Sequence, residues 1–578
     1  MASQGDKHEA TVEVLREIAK KHGFRMRPQD EPEYLAIVRG VQRSIDWVDS
    51  RPDYIHPQFL SDVDILDRKY ARPSPSDNPL NAWSHRTHIQ SPTTNGTGLL
   101  AGKTVAIKDT VSVAGVPLTC GTQPFHLSKD KPYPIPEADA PVVSRILEAG
   151  AVITGTSTIE NYSLSAMSFT GATGPVENPW LRGYSAGGSS SGSAALIAIN
   201  VLRKWREARG LPVEDLGEGV DLAIGGDQGG SIRVPAAYCG IYGLKPTHGL
   251  VPYTGIAPLL PRIDHVGPMA ASVRDTALLL TVLAGYDGFD PRMTPETPLR
   301  AAVPSYHTIL DQQIAERVAS GTWTPKAAAR GLRIGILKEA FEIAGLSAEV
   351  ASVVRKAASR FAALGASVSE VSIPLHLVAP HIFNAETRAY AVDSLLYHKD
   401  STTASSLPYP LNGAEPPPSS FTQAWYETMT ASNPLVVSAI FSGEVLQDRS
   451  RYPETVREKA IRHVHELRAA YDDALEIFDV LLTPATPTVG PPQPPAADVG
   501  VAEKAGYVLS NTPNTLPFNI TGHPGFVIPV GWGRAAGVGE EKARLPVGMQ
   551  IVGRRWDEQT LFLAAAAWEV GGLGLDEE

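Results

Sequence analysis

The chain has 578 residues, 43% hydrophobic and 20% charged, a balance that fits a globular protein with a substantial core and excludes wholesale disorder or a fibrous repeat. Lys and Arg number 51 against 62 Asp and Glu, and the resulting net charge of −11 argues against nucleic acid as a direct ligand. Two cysteines, Cys120 and Cys239, are too few for a disulfide framework and lack the paired spacing of a zinc site.

The first residues, MASQGDKHEA, are polar where a secretory signal needs an apolar centre, and the last, LGLDEE, match no lipidation tag. No stretch approaches the roughly 18 consecutive apolar residues of a membrane span, so a soluble cytoplasmic protein is the expectation. Between Glu9 and Ser50, Tyr34, Ile37, Val38, Val41 and Ile45 recur at helical spacing, with Pro32 near a helix start. Prolines and polar residues then dominate 51–97, an extended arm. The expected division is a helical appendage over 1–70 and a catalytic domain over 71–578. From Leu99 onward short apolar runs alternate with helical patterns (KTVAI then VVSRILEAG, LRIGILKEA then VASVVRKAASRFAALG), which predicts a three-layer α/β domain. The Pro/Ser-rich stretch 401–420 and the segment 489–500 read as surface loops. Between them a long amphipathic helix is expected, with Ile461, Val464, Leu467, Tyr471 and Leu475 on one face.

Three segments carry chemistry. In KTVAIKDTV, a strand would place Val105 and Ile107 on one face and Ala106 and Lys108 on the other. Taken alone, Lys108 reads as a strand-end lysine reaching for solvent. In GYSAGGSSSGSAALI (183–197) glycines open unusual backbone conformations, and the run that follows predicts a helix with free N–H groups at its start. By itself this segment reads equally as a flexible linker or a phosphate cradle, although no lysine follows as a Walker-type loop requires. In GGDQGGSIRVPAAYCGIYGLKPT (225–247), Gly229 and Gly230 let the backbone turn tightly before Ser231, so that successive amides can converge on a carbonyl oxygen. Each such donor is worth on the order of 3 kcal/mol in a transition state. Together the segments suggest a serine nucleophile activated by a lysine that loses its proton in apolar surroundings.

Lysine, GGSSSGS and DQGGSIR in this order resemble the amidase signature family. The resemblance runs from about Leu99 to the end and includes ENPW, PAAYCGIYGLKPT, GLVPYTG, IDHVGPM, LPFNITGHP and LPVGMQIVG. The Gln228 form of the loop and PYTG are most similar to broad-specificity amidases acting on aliphatic and aromatic amides. The resemblance implies an α/β/α fold with a large mixed sheet, and hydrolysis of carboxylic amides to acid and ammonia or amine through an acyl-enzyme, with no metal or cofactor. It implies Ser231 as nucleophile, Ser189 as a bridging serine after a cis peptide, and Lys108 as base. Ser190 and Asp227 would support them, the amides of Gln228, Gly229, Gly230 and Ser231 would form an oxyanion hole, and Arg233 would brace the loop. Burial and the absence of a nearby carboxylate would lower the Lys108 pKa, and Asp109, its neighbour on the strand, would point to the opposite face.

One departure stands out: Ser189 and Ser231 lie farther apart than in the family, the excess falling in the charged stretch 200–219, which is expected to extend a helix and loop outward. Tyr162, Gln228, Ile256 and the Asn519 to His523 loop are expected to line an acyl pocket. The substrate is a small amide or, in a urethanase, a carbamate; aryl acylamides are a further alternative. An amidotransferase A-type subunit working inside a complex belongs to the same family. A Ser-His-Asp hydrolase competes through the G-x-S-x-G at 188–192, with Ser190 as nucleophile and His248, His265 or His523 as base. Neither nucleic acid nor membrane is an expected partner; a homodimer through the amino-terminal helices is.

Overall fold

Central strands such as β3 (TVAIK) and β7 (LAIGG) are runs of apolar and small residues whose alternate side chains can be buried on both faces of one sheet. The computed structural model describes the chain except residues 1–8, 53, 61–63, 65–66, 95–96, 128–131, 397–420, 495–498, 510, 538–542, 571–574 and 576–578. In chain order the strands are β1 (Tyr70–Ala71), β2 (Trp83–Ile89), β3 (Thr104–Lys108), β4 (Val152–Ser157), β5 (Glu177–Asn178), β6 (Leu181–Ser185), β7 (Leu222–Gly226), β8 (Tyr242–Lys245), β9 (Val266–Ala270), β10 (Arg333–Leu337), β11 (Ser367–Val371), β12 (Val480–Pro484), β13 (Gly525–Arg534) and β14 (Arg544–Gly553). Twelve of them form one sheet in the order β1-β2-β4-β3-β7-β9-β8-β13-β14-β12-β10-β11, and β5 pairs with β6 apart from it. β3 runs parallel to β4 and β7, and β10 parallel to β11 and β12, while the other pairings are antiparallel.

The period-two alternation read from KTVAI holds. Val105 and Ile107 join Leu222 and Ile224 in one core, with Val142, Val143 and Ile146 of the helix Pro141–Glu148 and the helix Val273–Leu283 covering them. Ala106 and Ala223 face a second core on the other side, made by the helices Ser191–Glu207 and Arg233–Cys239. Helices on both faces give the three layers. Small residues occupy this second face, so the Ser191–Glu207 helix can approach the sheet through Ala194, Ala195 and Ala198.

The chain divides into two compact units, Met1–Ile55 and His56–Glu578. In the first, Val12–Lys21 starts at Thr11, whose side chain caps the Val14 amide, and Glu31–Asp49 carries Pro32 in its first turn. Tyr34, Ile37, Val41 and Ile45 are exposed on the second helix. The larger unit begins at His56: Phe59 is buried with its ring 4.8 Å from that of Phe289, and Arg68 forks onto Asp139 with two 2.7 Å bonds.

The helix Ser191–Glu207 runs into the charged stretch, which continues as largely exposed loop before β7 begins at Leu222. The expected long helix is Thr455–Ile477, with Val464, Leu467, Tyr471 and Leu475 buried. The stretch 401–420 lies outside the described residues. The segment 489–500 differs from a plain surface loop. Val489 is buried, the Ser185 amide donates to Pro491 O at 2.9 Å, and the Gln493 amide donates to Gly183 O at 2.8 Å, so its first half packs along β6.

Candidate active site

Parallel β4, β3 and β7 end side by side, in a register that sets Lys108 opposite Ser157 and Ile107 opposite Ile224. The loops after their carboxyl ends therefore meet, as is general for ligand sites in parallel sheets. The segment 186–190 joins them, because it leads into the helix packed beneath the same strands.

Lys108 is the last residue of β3 and is 1% exposed. Its Nζ lies 2.8 Å from Ser189 Oγ and 3.3 Å from Gly226 O. Burial pulls its pKa from near 10.5 down to about 7, against the opposing pull of Asp227, Glu160 and Cys120. The expectation that no carboxylate stands nearby is thus corrected. Two do, and desolvation of the ammonium outweighs them. Asp109 faces away, accepting from Ser84 Oγ at 2.6 Å and from the Thr119 amide at 3.0 Å.

Ser189 is fully buried, and the Gly188–Ser189 peptide is cis. Ser190 turns to the end of β7, with its Oγ donating to Gly226 O at 3.2 Å and lying 3.3 Å from the Gly226 amide. Among the described residues no histidine bonds to it. His248 is bonded to Pro261 O at 2.8 Å, His265 to Ile263 O at 2.7 Å, and His523 to Asp472 and Thr521, both at 3.0 Å. This removes the geometry that a histidine triad at Ser190 requires.

The loop after β7 is built on Asp227. Its Oδ1 accepts from the Gly230 amide at 2.8 Å and its Oδ2 from the Ile232 amide at 3.1 Å. Arg233, fully buried, forks onto the same carboxylate at 2.9 and 3.0 Å. Its other three donors reach Thr515 O, Gln550 Oε1 and Asn519 Oδ1 at 2.7, 2.8 and 2.6 Å, so all five guanidinium N–H groups are used. Burial pushes the Asp227 carboxyl up, but Arg233, Asn519 and Lys245 outweigh it and hold the group far below the usual carboxylate range.

This architecture decides which amides face outward. Gly230 has φ +144°, and its N–H is engaged by Asp227. Among the described residues the amides of Gln228, Gly229 and Ser231 have no protein acceptor, which leaves three of the expected four free for a ligand. Ser231 and Gly229 are half-buried in an otherwise buried loop, and the Ser231 hydroxyl has no hydrogen-bond partner among the described residues. The Ser190 amide donates to Ser231 O at 3.2 Å, tying the two serine segments together.

Around this centre Gln228 Nε2 donates to the Tyr253 hydroxyl at 2.7 Å. Tyr162, with φ 51°, is buried among Trp425, Met429 and Val436, and its amide donates to Cys120 O at 2.9 Å. Ile256 is buried in the main core. Asn519 and His523 are fully buried, Asn519 Nδ2 donating to Asp227 Oδ1 at 2.8 Å and His523 Nε2 lying 3.0 Å from Asp472 Oδ1. Two neighbours escaped the sequence reading. Phe383 Cζ would sit 4.0 Å from a Cβ on Gly229, and Glu160 is buried beside the Ser189 segment. Glu160 stands three residues past the end of β4, in a loop whose sequence carries no signal of such a role. Among the described residues no group of three or more His, Cys, Asp or Glu is placed to hold a metal ion.

The Amidase family model matches residues 80–203 and 217–562. The chain belongs to the amidase family. The break in the match falls inside the long charged stretch after Asn200. An enantioselective amidase of Rhodococcus rhodochrous is 36% identical over 510 residues, 87% of this amidase and 85% of the relative. The A-type subunit of glutamyl-tRNA(Gln) amidotransferase from Synechococcus sp. (strain CC9605) is 30% identical over 529 residues, 88% and 93% of the two chains. Among solved structures, 6-aminohexanoate cyclic dimer hydrolase superposes with a TM-score of 0.62 at 24% identity, covering 83% of this chain and 86% of that one. The peptide amidase of Stenotrophomonas maltophilia does so at 0.59 and 24%, covering 83% and 85%. This amidase is an amide-hydrolysing enzyme. Among the described residues no helix is long and apolar enough to cross a membrane.

Proposed function

We propose that this amidase cleaves small carboxylic amides to acid and ammonia or amine through an acyl-enzyme on Ser231. The reading rests on one observation: a buried Lys108 amine 2.8 Å from the buried Ser189 hydroxyl, beneath the loop that carries half-buried Ser231. Ser231 Oγ attacks the carbonyl carbon, its proton passes to Ser189, and the Ser189 proton passes to the neutral Lys108 amine. The amides of Gln228, Gly229 and Ser231 receive the oxyanion. When the tetrahedral centre collapses, the C–N bond breaks and the leaving nitrogen takes a proton back through Ser189. Water then attacks the ester along the same relay and the acid leaves. Hydroxylamine added during turnover is expected to divert the acyl group to a hydroxamate. Failure to form it, together with loss of activity in EDTA, rejects the scheme.

The enantioselective amidase relative favours free-standing amide hydrolysis. Carbamate esters and aryl acylamides present the same carbonyl, so acetamide, benzamide, a long-chain amide and ethyl carbamate assayed side by side identify the substrate class. The amidotransferase relatives favour a second reading, in which the chain works inside a complex. Purified protein that hydrolyses a simple amide without partners rejects it. The exposed apolar residues Tyr34, Ile37, Val41 and Ile45 support a homodimer through the amino-terminal helices. Light scattering on the intact chain and on Ile37→Asp tests this.

A further inference from the structure

Glu160 takes no part in the proposed relay, yet it is anchored against it. It is 1% exposed and follows β4. Its Oε2 accepts from the Thr170 amide at 2.8 Å and the Thr170 hydroxyl at 2.6 Å, while Oε1 accepts from Ser191 Oγ at 3.0 Å. Ser191 lies two residues past Ser189, and a Cβ on Gly188 would stand only 2.8 Å from Glu160 Cγ. The glutamate therefore packs directly against the 188–191 turn. Among the described residues no arginine or lysine makes an ion pair with it; the cation that acts on it is Lys108.

Lys108 is faced by Glu160 from the β4 side, Asp227 from the β7 side and the Cys120 thiol from the loop after β3. The charge of Asp227 is shared with Arg233. That of Glu160 has no such partner. We propose that Glu160 is a positioning residue of this site: its carboxylate fastens the turn bearing Ser189 and keeps a counter-charge beside the Lys108 amine, so activity switches on at higher pH than with a neutral side chain there. The inference rests on Lys108 being the base.

An ionised carboxylate favours the ammonium, which is the form that cannot accept a proton, while burial favours the neutral form of both groups. Burial carries Glu160 up to about 7, opposed by Thr170, Ser191 and Lys108, so the two groups titrate in the same range as a coupled pair.

The test is kcat/KM against pH on one amide for the full-length wild type, Glu160→Gln, Ser191→Ala and Lys108→Ala, with circular dichroism and melting curves alongside. Glu160→Gln is expected to move the acid limb about one pH unit lower, the usual size of a neighbouring-charge effect. Ser191→Ala, which removes a hydrogen bond favouring the charged carboxylate, is expected to move it the same way by less. An acid limb that stays in place or moves upward in Glu160→Gln overturns the inference; if that variant fails to fold, Ser191→Ala decides by the same criterion. Lys108→Ala that retains activity instead overturns the base reading itself. An inactive Lys108→Ala beside an unmoved limb in the other variants overturns only the role of Glu160.

Discussion

Replacing Lys108 by methionine is expected to abolish activity and raise stability at neutral pH. The unfolded chain holds a proton on this lysine up to about pH 10.4, whereas the folded chain releases it near 7. Between those values the unfolded state binds more protons, so stability rises with pH across the window; below about 7 the folded state carries the full cost of a buried ammonium. A fall from 10.5 to about 7 corresponds to about 5 kcal/mol. Methionine fills a similar volume without that cost, but it forfeits the contacts to Ser189 and Gly226, worth about 1 kcal/mol each. The net gain near pH 6.5 is roughly 3 kcal/mol, and it shrinks toward zero by pH 9.5, where the wild type has recovered most of its deficit. For a unit of this size each kcal/mol is on the order of one degree in Tm. Scanning calorimetry at the two pH values is expected to show Lys108→Met melting about three degrees above wild type at pH 6.5 and level with it at pH 9.5. A variant that melts below wild type at pH 6.5, or a difference that does not change with pH, refutes the claim that burial rather than pairing governs this amine.

The same titration sets the activity profile: kcat/KM is expected to rise with pH through about 7 and level off on the alkaline side, and a profile that peaks below about pH 6 contradicts a lysine base. Asp227→Asn removes the carboxylate paired with Arg233, a fully buried guanidinium, and is expected to cost about 3–5 kcal/mol, read as a melt several degrees lower. A melt within a degree of wild type counts against the brace.

What could be read from the amino-acid order alone were features that depend on near neighbours along the chain. Period-two alternation puts Ala106 and Lys108 on one face and Val105 and Ile107 on the other without reference to any other segment, and the structure keeps that assignment. The glycines around Ser189 and Ser231 likewise announce backbone that turns sharply. The direction of each amide is another matter. Glycine makes a turn permissible and leaves its orientation open, and at Gly230 the decision falls to Asp227, itself held by Arg233, Asn519 and, through Arg233, Gln550. Asp227 and Arg233 belong to the loop itself, but Asn519 and Gln550, which fix that carboxylate and guanidinium in place, come from near residue 520 and from β14, so the orientation that takes Gly230 out of the free donors is set from far along the chain. Glu160 was hidden for the same reason. In TSTIENYS nothing marks it as more than a loop carboxylate, and its proximity to Lys108 arises from the parallel pairing of β3 with β4 and from the close approach of Gly188. The edge of the larger unit follows the same logic, since Phe59 and Arg68 are fastened by Phe289 and Asp139, far along the chain. Electrostatics at Lys108 is therefore a product of topology: a strand face that any reader of the sequence can assign, surrounded by two carboxylates that only the sheet order brings there.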